Sequence, residues 1–356
     1  MIIGTIIVYQ QIQFAKNRPV GYTREGLITI PLWDTVFHTH FNAIRDELIR
    51  SRAIISMTES GAPTTSFPGS SSGFSWKDKD PNLSIDFGVV TASYDYGKTI
   101  GWQIKEGRDF SKDFATDSSA VILNDAAVHF MGLKKPLGET ITWFGKPYTV
   151  IGVVNDIVMA SPYDQQKPVI FNLSNDAGNV AIIKIDPSLS VKEALSRIEP
   201  VFKKFDPDDP FEYQFTDEEY AKKFGNEERI SKLAEFFAAL AVIISCLGLF
   251  GLTSFVAEQR KKEISVRKVL GASVANVWNL LSKDFLFLVI FSFFIAVPMS
   301  YYFMHNWLQN YSYRTNLPWW IFAIACVGSL VITMIVVSFQ TIKAAISNPV
   351  KNLRTE

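Results

Sequence analysis

Long apolar stretches, separated by short polar ones, dominate the second part of the chain. Residues 233–257 contain one charged residue, Glu235; residues 284–304 contain one, Asp284; and residues 318–339 contain none. About 20 apolar residues in an α-helix cross the roughly 30 Å hydrocarbon core of a bilayer. A helix of a soluble protein of this length normally keeps a polar face. The pattern therefore predicts three full transmembrane helices.

The start of the chain carries a fourth, shorter apolar stretch. Residues 2–9 are apolar but too few to cross a bilayer. They have no basic segment before them and no small-residue cleavage site after them, as a signal peptide would. We interpret residues 1–15 as the remnant of a first transmembrane helix, and expect the chain to be truncated at its N-terminus or to have a misassigned start.

Between these apolar regions, residues 16–215 show the shorter patterns of a mixed domain. Period-two and period-3.6 spacings of apolar residues predict strands and amphipathic helices, and hence an α+β domain divided around residues 60–90. The expected elements are strands at 27–32 and 180–185, helices at 35–52 and 190–205, a strand, Asn cap and helix at 119–132, and a hairpin at 139–154 turning at Gly145-Lys146-Pro147.

A charged segment, residues 216–232, runs directly into the first full span. Its helix-forming composition predicts a stalk that continues as one helix into the membrane. The alternative is a separate surface helix joined by a hinge at Gly225. The membrane domain proper then comprises residues 233–356, with a polar loop at 258–283 between its first two spans.

The charges of the 356-residue chain sum to zero, with 35 Lys+Arg and 35 Asp+Glu, which argues against a nucleic-acid-binding protein. The balance hides two biased parts: residues 1–232 carry a net charge of −5 and residues 233–356 a net charge of +5. Six basic residues lie between the first two full spans. Short loops rich in Lys and Arg remain cytoplasmic. We therefore expect loop 258–283 and the C-terminus inside, and residues 10–232 outside.

Motifs for catalysis or metal binding are weak. Residues 69–73 match the G-x-S-x-G pattern, but a nucleophile elbow needs a flanking strand and helix, and this stretch has the composition of a loop. His38 and His40 lack a recognisable acidic or Cys companion in the sequence. A membrane-anchored serine hydrolase acting through Ser71 therefore stays as the weaker alternative. We predict no catalytic residue, metal or cofactor in this chain.

Loop 258–283 holds the most informative motif, EQRKKEISVRKVLGASVANVWNLLSK, with its charges mostly in the first eleven residues. Helical spacing predicts one short helix ending at Gly271 and another starting at Val274. Such a basic, amphipathic helix either lies on anionic lipid or docks into a cytoplasmic partner. In the first span, Ser245, Gly248 and Gly251 offer small side chains for close helix packing.

The loop motif EQRKKEISVRKVLGAS, preceded by CLGLFGLTSF, resembles the MacB/FtsX-like family of ABC transporter permeases. The ending AAISNPVKNLRTE is similar to the C-terminus of that family. Residues 101–110 (GWQIKEGRDF), 120–124 (AVILN), 136–138 (PLG) and 148–156 (YTVIGVVND) resemble its periplasmic core domain. Residues 9–32 (YQQIQFAKNRPVGYTREGLITIPL) resemble the entry to the second outer domain of the long two-domain permeases typical of Bacteroidota, so we expect this chain to be the C-terminal half of one.

The resemblance implies a non-enzymatic permease subunit in a bacterial inner membrane, with its large domain in the periplasm. ATP is bound by a separate ABC ATPase subunit, and the loop is the coupling helix that seats in a groove of that subunit. The stalk would pass the motion outward, a mechanism called mechanotransmission, for export or extrusion of an unknown substrate. The residues carried over for ATPase coupling are Glu263, Ile264, Arg267, Lys268, Val269, Leu270, Gly271 and Ala272.

The resemblance also implies further partners: a second permease, as a homodimer or pseudo-dimer, and an extracytoplasmic adaptor or hydrolase. Some FtsX-like members regulate a cell-wall hydrolase outside the membrane. That function is therefore the main alternative. It differs from transport in the outer partner and not in the topology of the chain.

Overall fold

The computed structural model describes residues 1–32, 35–83, 85–174, 178–207 and 210–346, and only the backbone of residues 35, 268 and 344–346. The chain forms two compact units. We call Asn17–Gly225 the sheet unit, and residues 1–16 with the described residues from Asn226 onward the helical unit.

In the described residues, helices and strands alternate along the sheet unit, and the helical unit contains helices. The helices are α1 (Ile2–Lys16), α2 (Thr35–Arg50), α3 (Tyr96–Ile100), α4 (Asp125–Met131), α5 (Val191–Phe205), α6 (Thr216–Lys222), α7 (Gly225–Gln259), α8 (Lys261–Val269), α9 (Val274–Leu308) and α10 (Trp319–Ile346). The strands are β1 (Leu27–Pro31), β2 (Ile54–Ser60), β3 (Ser70–Ser71), β4 (Phe74–Ser75), β5 (Phe87–Ala92), β6 (Ile104–Gly107), β7 (Ala120–Asn124), β8 (Thr140–Trp143), β9 (Lys146–Val154), β10 (Val169–Leu173), β11 (Val180–Ile185) and β12 (Gln214–Phe215).

The strands of the sheet unit form one mixed sheet in the order β12-β1-β11-β2-β5-β10-β7-β9-β8-β4. Its two halves, which we call lobe A (β1, β2, β11, β12, α2, α5) and lobe B (β3 to β10, α3, α4), meet where β2 pairs with β5. That ladder is a single residue pair, Ser60↔Ala92. The β5–β10 and β7–β9 pairs are parallel, and the other pairs are antiparallel. The α+β class predicted for this domain agrees with this architecture, and the region of the expected division, residues 60–90, contains the end of β2 and the start of β5.

Each lobe has its own hydrophobic core. In lobe A, the apolar faces of α2 and α5 pack on β1, β2 and β11, with Ile44, Leu48 and Ile198 almost fully buried. In lobe B, aromatic side chains from β4 and β5 pack against β7, β8 and α4, with Phe74 and Phe87 in edge contact. The β2–β5 ladder is the shortest in the sheet, and α3 of lobe B packs against β2 and β11 of lobe A beside it.

Local capping explains where two of the predicted helices begin. The Asn124 side chain at the end of β7 accepts a hydrogen bond from the Ala127 N–H, which starts α4. Ser190 and Glu193 form a capping box at the start of α5. Both the strand–cap–helix prediction for residues 119–132 and the helix predicted at 190–205 are confirmed.

The β8–β9 hairpin is present, but its predicted turn is wrong by one residue. Trp143 pairs with Lys146, so the turn consists of Phe144 and Gly145, and Pro147 lies in the strand opposite Thr142. Both turn residues have positive φ, 46° and 79°. This is the primed geometry that matches strand twist. The prediction failed because Phe144 is an unusual residue in a left-handed turn position.

In the helical unit, α7, α9 and residues 319–343 of α10 are the described helices long and apolar enough to cross a membrane. Only 11% to 22% of the residues in their apolar windows are buried within the chain. The helices extend beyond the predicted spans, since α7 and α9 have 35 residues each, about 52 Å at 1.5 Å per residue. Hydropathy marks the part that crosses the hydrocarbon, whereas the helices continue into polar ends.

Helix α1 packs against α9 and α10. Ile7 is buried with Leu308 and Ile321. Gln11, which is also buried, donates from Nε2 to the Tyr313 carbonyl and accepts at Oε1 from the Thr315 N–H, both at 2.8 Å. One glutamine therefore satisfies two backbone groups of the loop between α9 and α10 and holds that loop against α1.

The predicted continuous stalk over residues 216–232 is interrupted. Helix α6 ends at Lys222, and α7 begins at Gly225. Phe224 is buried between the rings of Tyr163 and Tyr220, at centroid distances of 5.7 and 5.4 Å. This aromatic packing fixes residue 224 in the sheet unit and overrides the helix propensity of the segment. The alternative of a separate helix followed by a break next to Gly225 is the arrangement observed.

Candidate functional site

The candidate site is the segment that links α7 to α9. Helix α7 ends at Gln259, α8 follows from Lys261, and Gly271 reverses the chain with φ +90°. The Ala272 N–H donates to the Arg267 carbonyl at 2.9 Å, which closes the end of α8. Ser273 then caps α9 by accepting from the Asn276 N–H. A left-handed residue followed directly by an N-cap gives a sharply defined corner.

One side of α8 is buried in a small apolar cluster. Ile264 is 4% exposed and packs with Val277 and Leu281 of α9, next to Val256 of α7. This cluster holds α8 against the first turns of α9. The second short helix predicted from Val274 is therefore not a separate element, because residues 274–283 form the beginning of the 35-residue helix α9.

The end of α8 exposes apolar side chains. Val269 is 67% exposed and Leu270 is 81% exposed, with Val266 one turn earlier about half exposed. The three residues lie within five positions at the corner, so they present one apolar edge. A single exposed leucine needs no explanation, but a contiguous exposed group at a rigid corner is typical of a binding surface.

Charged side chains surround this edge. Glu263 and Arg267 form an ion pair at 2.7 Å, one turn apart on α8. Arg260 reaches Asp284 of α9 at 3.2 Å, which ties the beginning of the segment to α9. Exposed pairs of this kind contribute about 1 kcal/mol or less each. They leave an apolar edge with a charged rim, the usual anatomy of a protein interface.

The structure separates the predicted coupling residues into two groups. Val269, Leu270, Gly271 and Ala272 lie at the corner, and Glu263 and Arg267 lie on the adjacent turn of α8. Ile264 points into the buried cluster and cannot contribute contact surface, because its place on the inner face of α8 depends on α9, which sequence spacing alone does not reveal. The side chain of Lys268 lies outside the described residues.

The small residues predicted for helix packing do not meet another helix of this chain closely. Ser245 is exposed at the edge of an apolar cavity whose walls come from α1, α7, α9 and α10. A Cβ added at Gly248 or Gly251 would meet no other atom within 4 Å. The described chain therefore leaves this stripe of α7 uncovered.

The other sequence candidates do not form a catalytic site. Ser71 is in a two-residue strand, not at a strand-to-helix turn, and its hydroxyl accepts a hydrogen bond from Trp143 Nε1 at 3.2 Å. His38 has an acidic companion that the sequence analysis missed, the buried Glu59 of β2, at 2.8 Å from Nδ1. Among the residues that the structure describes, no group of three or more His, Cys, Asp or Glu side chains is arranged to hold a metal ion.

Two family profiles match the chain. A MacB-like periplasmic core domain matches residues 3–201, more than half of the chain, and an FtsX-like permease C-terminal domain matches residues 235–349. The second match contains the whole α8 corner. The first covers most of the sheet unit, including the strand, cap and helix around Asn124.

Curated relatives are 22–23% identical to the chain over the aligned residues. A macrolide export ATP-binding/permease protein MacB from Neisseria gonorrhoeae is 22% identical over 69% of this chain and 38% of its own length. One from Nitrobacter winogradskyi is 22% identical over 55% of this chain and 32% of its own length. The matches therefore span about a third of the length of these relatives.

Two solved structures illustrate what the chain is similar to. The periplasmic region of MacB from Actinobacillus actinomycetemcomitans is 18% identical, with a TM-score of 0.41, over 57% of this chain and 94% of the other. A domain of a permease protein from Porphyromonas gingivalis is 15% identical, with a TM-score of 0.38, over 54% of this chain and 90% of the other.

Proposed function

We propose a function from one premise: the chain belongs to the MacB/FtsX-like family of ABC transporter permeases. In our proposal it is a permease subunit that couples ATP hydrolysis, performed by a separate ATPase subunit, to movement of the sheet unit. The observation that carries the proposal is the rigid corner at the end of α8, where Val266, Val269 and Leu270 are exposed among charged residues.

The proposed topology follows from the distribution of basic residues. Loop 258–283 is more basic than residues 305–317, which contain one basic residue, Arg314. Short basic loops stay on the cytoplasmic side. We place the α8 corner and the C-terminus in the cytoplasm and the sheet unit outside the inner membrane. ATP then stays in the cytoplasmic partner, and this chain supplies the mechanical link.

The proposed docking surface consists of Val269, Leu270 and the backbone turn at Gly271 and Ala272, with Glu263 and Arg267 at its rim; the role of Lys268 stays a sequence-based prediction. Burial of Val269 and Leu270 in a partner's groove would remove two exposed apolar side chains from water, about 1.5–3 kcal/mol each. Ile264, in this proposal, stiffens the corner from within. A mobile corner would lose the motion that it is meant to transmit.

The uncovered stripe of Ser245, Gly248 and Gly251 supports a second proposed contact. Small residues allow two transmembrane helices to approach closely. We assign this stripe to a second permease, in a homodimer or pseudo-dimer. For the outer partner, no described residue favours a cell-wall hydrolase over an adaptor, so the transport function is the one that we propose. In this proposal, contact with the transported substrate is made on the outer side of the membrane, where the outer partner binds.

Site-specific photo-crosslinking tests the proposed function. A photoreactive amino acid replaces Leu270 in the full chain, and a second variant carries it at Phe294, an exposed residue within the apolar part of α9. After irradiation of native membranes, mass spectrometry identifies the cross-linked species. We expect the adduct at position 270 to contain a protein with the ATPase motif G-x-x-x-x-G-K-[ST], and the adduct at 294 to contain lipid. Lipid adducts alone at both positions would contradict the proposal.

A further inference from the structure

The loop between β9 and β10, residues 155–168, is held by side chains from both ends of the sheet unit. Arg18 Nη1 donates to the carbonyls of Pro162 and Asp164, both at 2.8 Å. Lys223 Nζ donates to the carbonyls of Met159 and Ala160, at 2.6 and 2.7 Å. Arg18 follows α1 by two residues, and Lys223 precedes α7 by two. We call residues 17–22 and 220–225 the N- and C-terminal connectors.

The N-terminal connector also contacts the loop through its backbone. The Val158 N–H donates to the Val20 carbonyl at 2.9 Å. At Gly21, with φ +83°, an added Cβ would lie 2.2 Å from the Asp156 carbonyl oxygen. Only glycine permits so close an approach in this conformation. The N-terminal connector and the loop are therefore in direct backbone contact, in addition to their side-chain hydrogen bonds.

A contribution to the stability of the fold does not explain why residue 223 is a lysine. The Nζ of Lys223 is bound by carbonyl dipoles, and burial lowers the pKa of its ammonium group to about 8, with no carboxylate among the described residues contributing. A buried cation costs free energy unless an anion compensates it, and an apolar side chain of similar size usually packs at a lower cost. A cation at this position is explained by the hydrogen bonds that it donates to the backbone carbonyls of the loop.

The two ends of the loop are anchored in lobe B. The fully buried Asn124 donates from Nδ2 to Asp156 Oδ1 and to the Lys167 carbonyl, both at 2.9 Å. Its Oδ1 accepts from the Val169 N–H at the start of β10. Displacement of the loop is therefore passed to β7 and β10, the centre of lobe B. Lobe A meets lobe B at the one-pair β2–β5 ladder and through α3, which packs against β2 and β11.

On the basis of the proposed function, we propose that the β9–β10 loop is where motion of the two connectors enters the sheet unit, and that Arg18 and Lys223 are the positioning residues that grip it. Motion of α1 or α7 along the chain reaches the connectors first, because they are the next residues in sequence. The loop then shifts lobe B relative to lobe A, which it meets at the β2–β5 pair and at α3.

Electron–electron distance measurements test this proposal on the full chain. Spin labels are placed at Lys146→Cys in lobe B and Lys192→Cys in lobe A, both exposed positions, in a background with Cys246→Ser and Cys326→Ser. The chain is assembled in lipid nanodiscs with the ATPase identified by crosslinking at position 270. Distances are recorded without nucleotide and with ATP trapped by vanadate. We expect the interlobe distance distribution to shift on trapping.

The variant R18M/K223M should lose that shift while the complex still hydrolyses ATP, because methionine fills the space but donates no hydrogen bond. K222M is the matched control: Lys222 is the adjacent lysine, exposed and paired with Glu219, and its loss should leave the shift intact. R18K/K223R should restore part of the shift, since both replacements donate to carbonyls. If Arg18 and Lys223 had a purely structural role, these variants would not differ in the interlobe shift.

The outcomes separate the two proposals. No interlobe shift in the unsubstituted chain would overturn the relay, whereas crosslinking at position 270 decides the proposed function, because movement of the sheet unit as a whole leaves the interlobe distance unchanged. A shift that persists unchanged in R18M/K223M would overturn the relay alone. If the double variant does not fold, K223M alone decides, because one methionine in place of one partly buried lysine should keep the unit folded: a retained shift then counts against the relay, and a lost shift supports it.

Discussion

The sheet unit and the helical unit place their large apolar side chains in opposite ways. Phe171 of β10 is fully buried beside Tyr96 and Trp102, whereas Phe294 of α9 is 75% exposed. A folded chain in water buries such residues, so one solvent cannot surround both units. The contrast indicates lipid around the helical unit and water around the sheet unit.

The α8 corner fits neither pattern, which makes it informative. Leu270 is as exposed as the apolar residues of the spans, but it lies in a segment dense with charge, next to Arg267 and Glu263. A segment so charged does not enter hydrocarbon. The surroundings of Leu270 are consistent with the proposed docking of a protein partner, whereas an exposed phenylalanine in the apolar part of α9 needs only lipid.

Truncation of one aromatic residue in each unit should give the largest difference. Phe171→Ala should destabilise the sheet unit by about 3–5 kcal/mol, since it removes a packed core side chain. Phe294→Ala should change stability by about 0.5 kcal/mol or less, because lipid fills the space. Hydrogen exchange of the β10 and α9 amides in the full chain in nanodiscs measures both effects. Equal losses of protection would show that the two units share one environment.

The α8 corner should likewise have two faces, one that stabilises its packing on α9 and one that binds the ATPase. Ile264→Ala should destabilise the packing of α8 on α9 by about 2 kcal/mol and speed exchange of α8 amides about 30-fold. Leu270→Ala should leave that exchange nearly unchanged and weaken ATPase binding instead. If Leu270→Ala opens α8 as much as Ile264→Ala does, the corner has no free face.

Lys223 gives a smaller, pH-dependent effect. Its pKa is lowered to about 8 in the folded chain, so its ammonium form costs stability below that pH. As the pH rises from about 8 towards the ordinary pKa of lysine, the unfolded chain binds more protons than the folded chain, so the free energy of unfolding increases. Because solvent partly reaches the group, we expect about 1 kcal/mol, or about 2–4 °C in Tm. The Tm of the full chain should therefore rise relative to that of K223M between pH 7.5 and 10, measured by scanning fluorimetry; a constant difference would exclude the buried cation.

Phe144 is the exposed aromatic residue of the sheet unit that most resembles the residues of the spans, at 71% exposure, but a turn explains it. Its left-handed conformation costs about 1 kcal/mol for a residue other than glycine. Phe144→Asn should therefore stabilise the hairpin slightly, by about 0.5 kcal/mol, in thermal unfolding. A marked loss of stability would show that the Phe144 ring, which lies over Gly73, contributes more packing than its exposure suggests.

Sequence patterns predicted the architecture well where a local signal decides it. The three spans follow from hydropathy, and the strand, Asn124 cap and α4 follow from capping chemistry and periodicity. The left-handed Phe144 was missed, and the break before Gly225 was given only as the alternative, because tertiary contacts decide both: the burial of Phe224, for example, is a property of the folded unit. The same limit applies to the corner, where the motif was evident but the inward direction of Ile264 was not.

The most direct test of the central claim is co-purification of the ATPase with corner variants of the full chain. Val269→Glu/Leu270→Glu places two charges on the proposed docking edge, and Asn276→Glu/Asn279→Glu adds two acidic residues at exposed positions of α9 as a matched control. Burial of unpaired charge costs several kcal/mol, so we predict that the first variant retains less than about a tenth of the ATPase and that the control retains nearly all of it. Equal retention by the two variants would contradict the assignment of the α8 corner as the ATPase docking site.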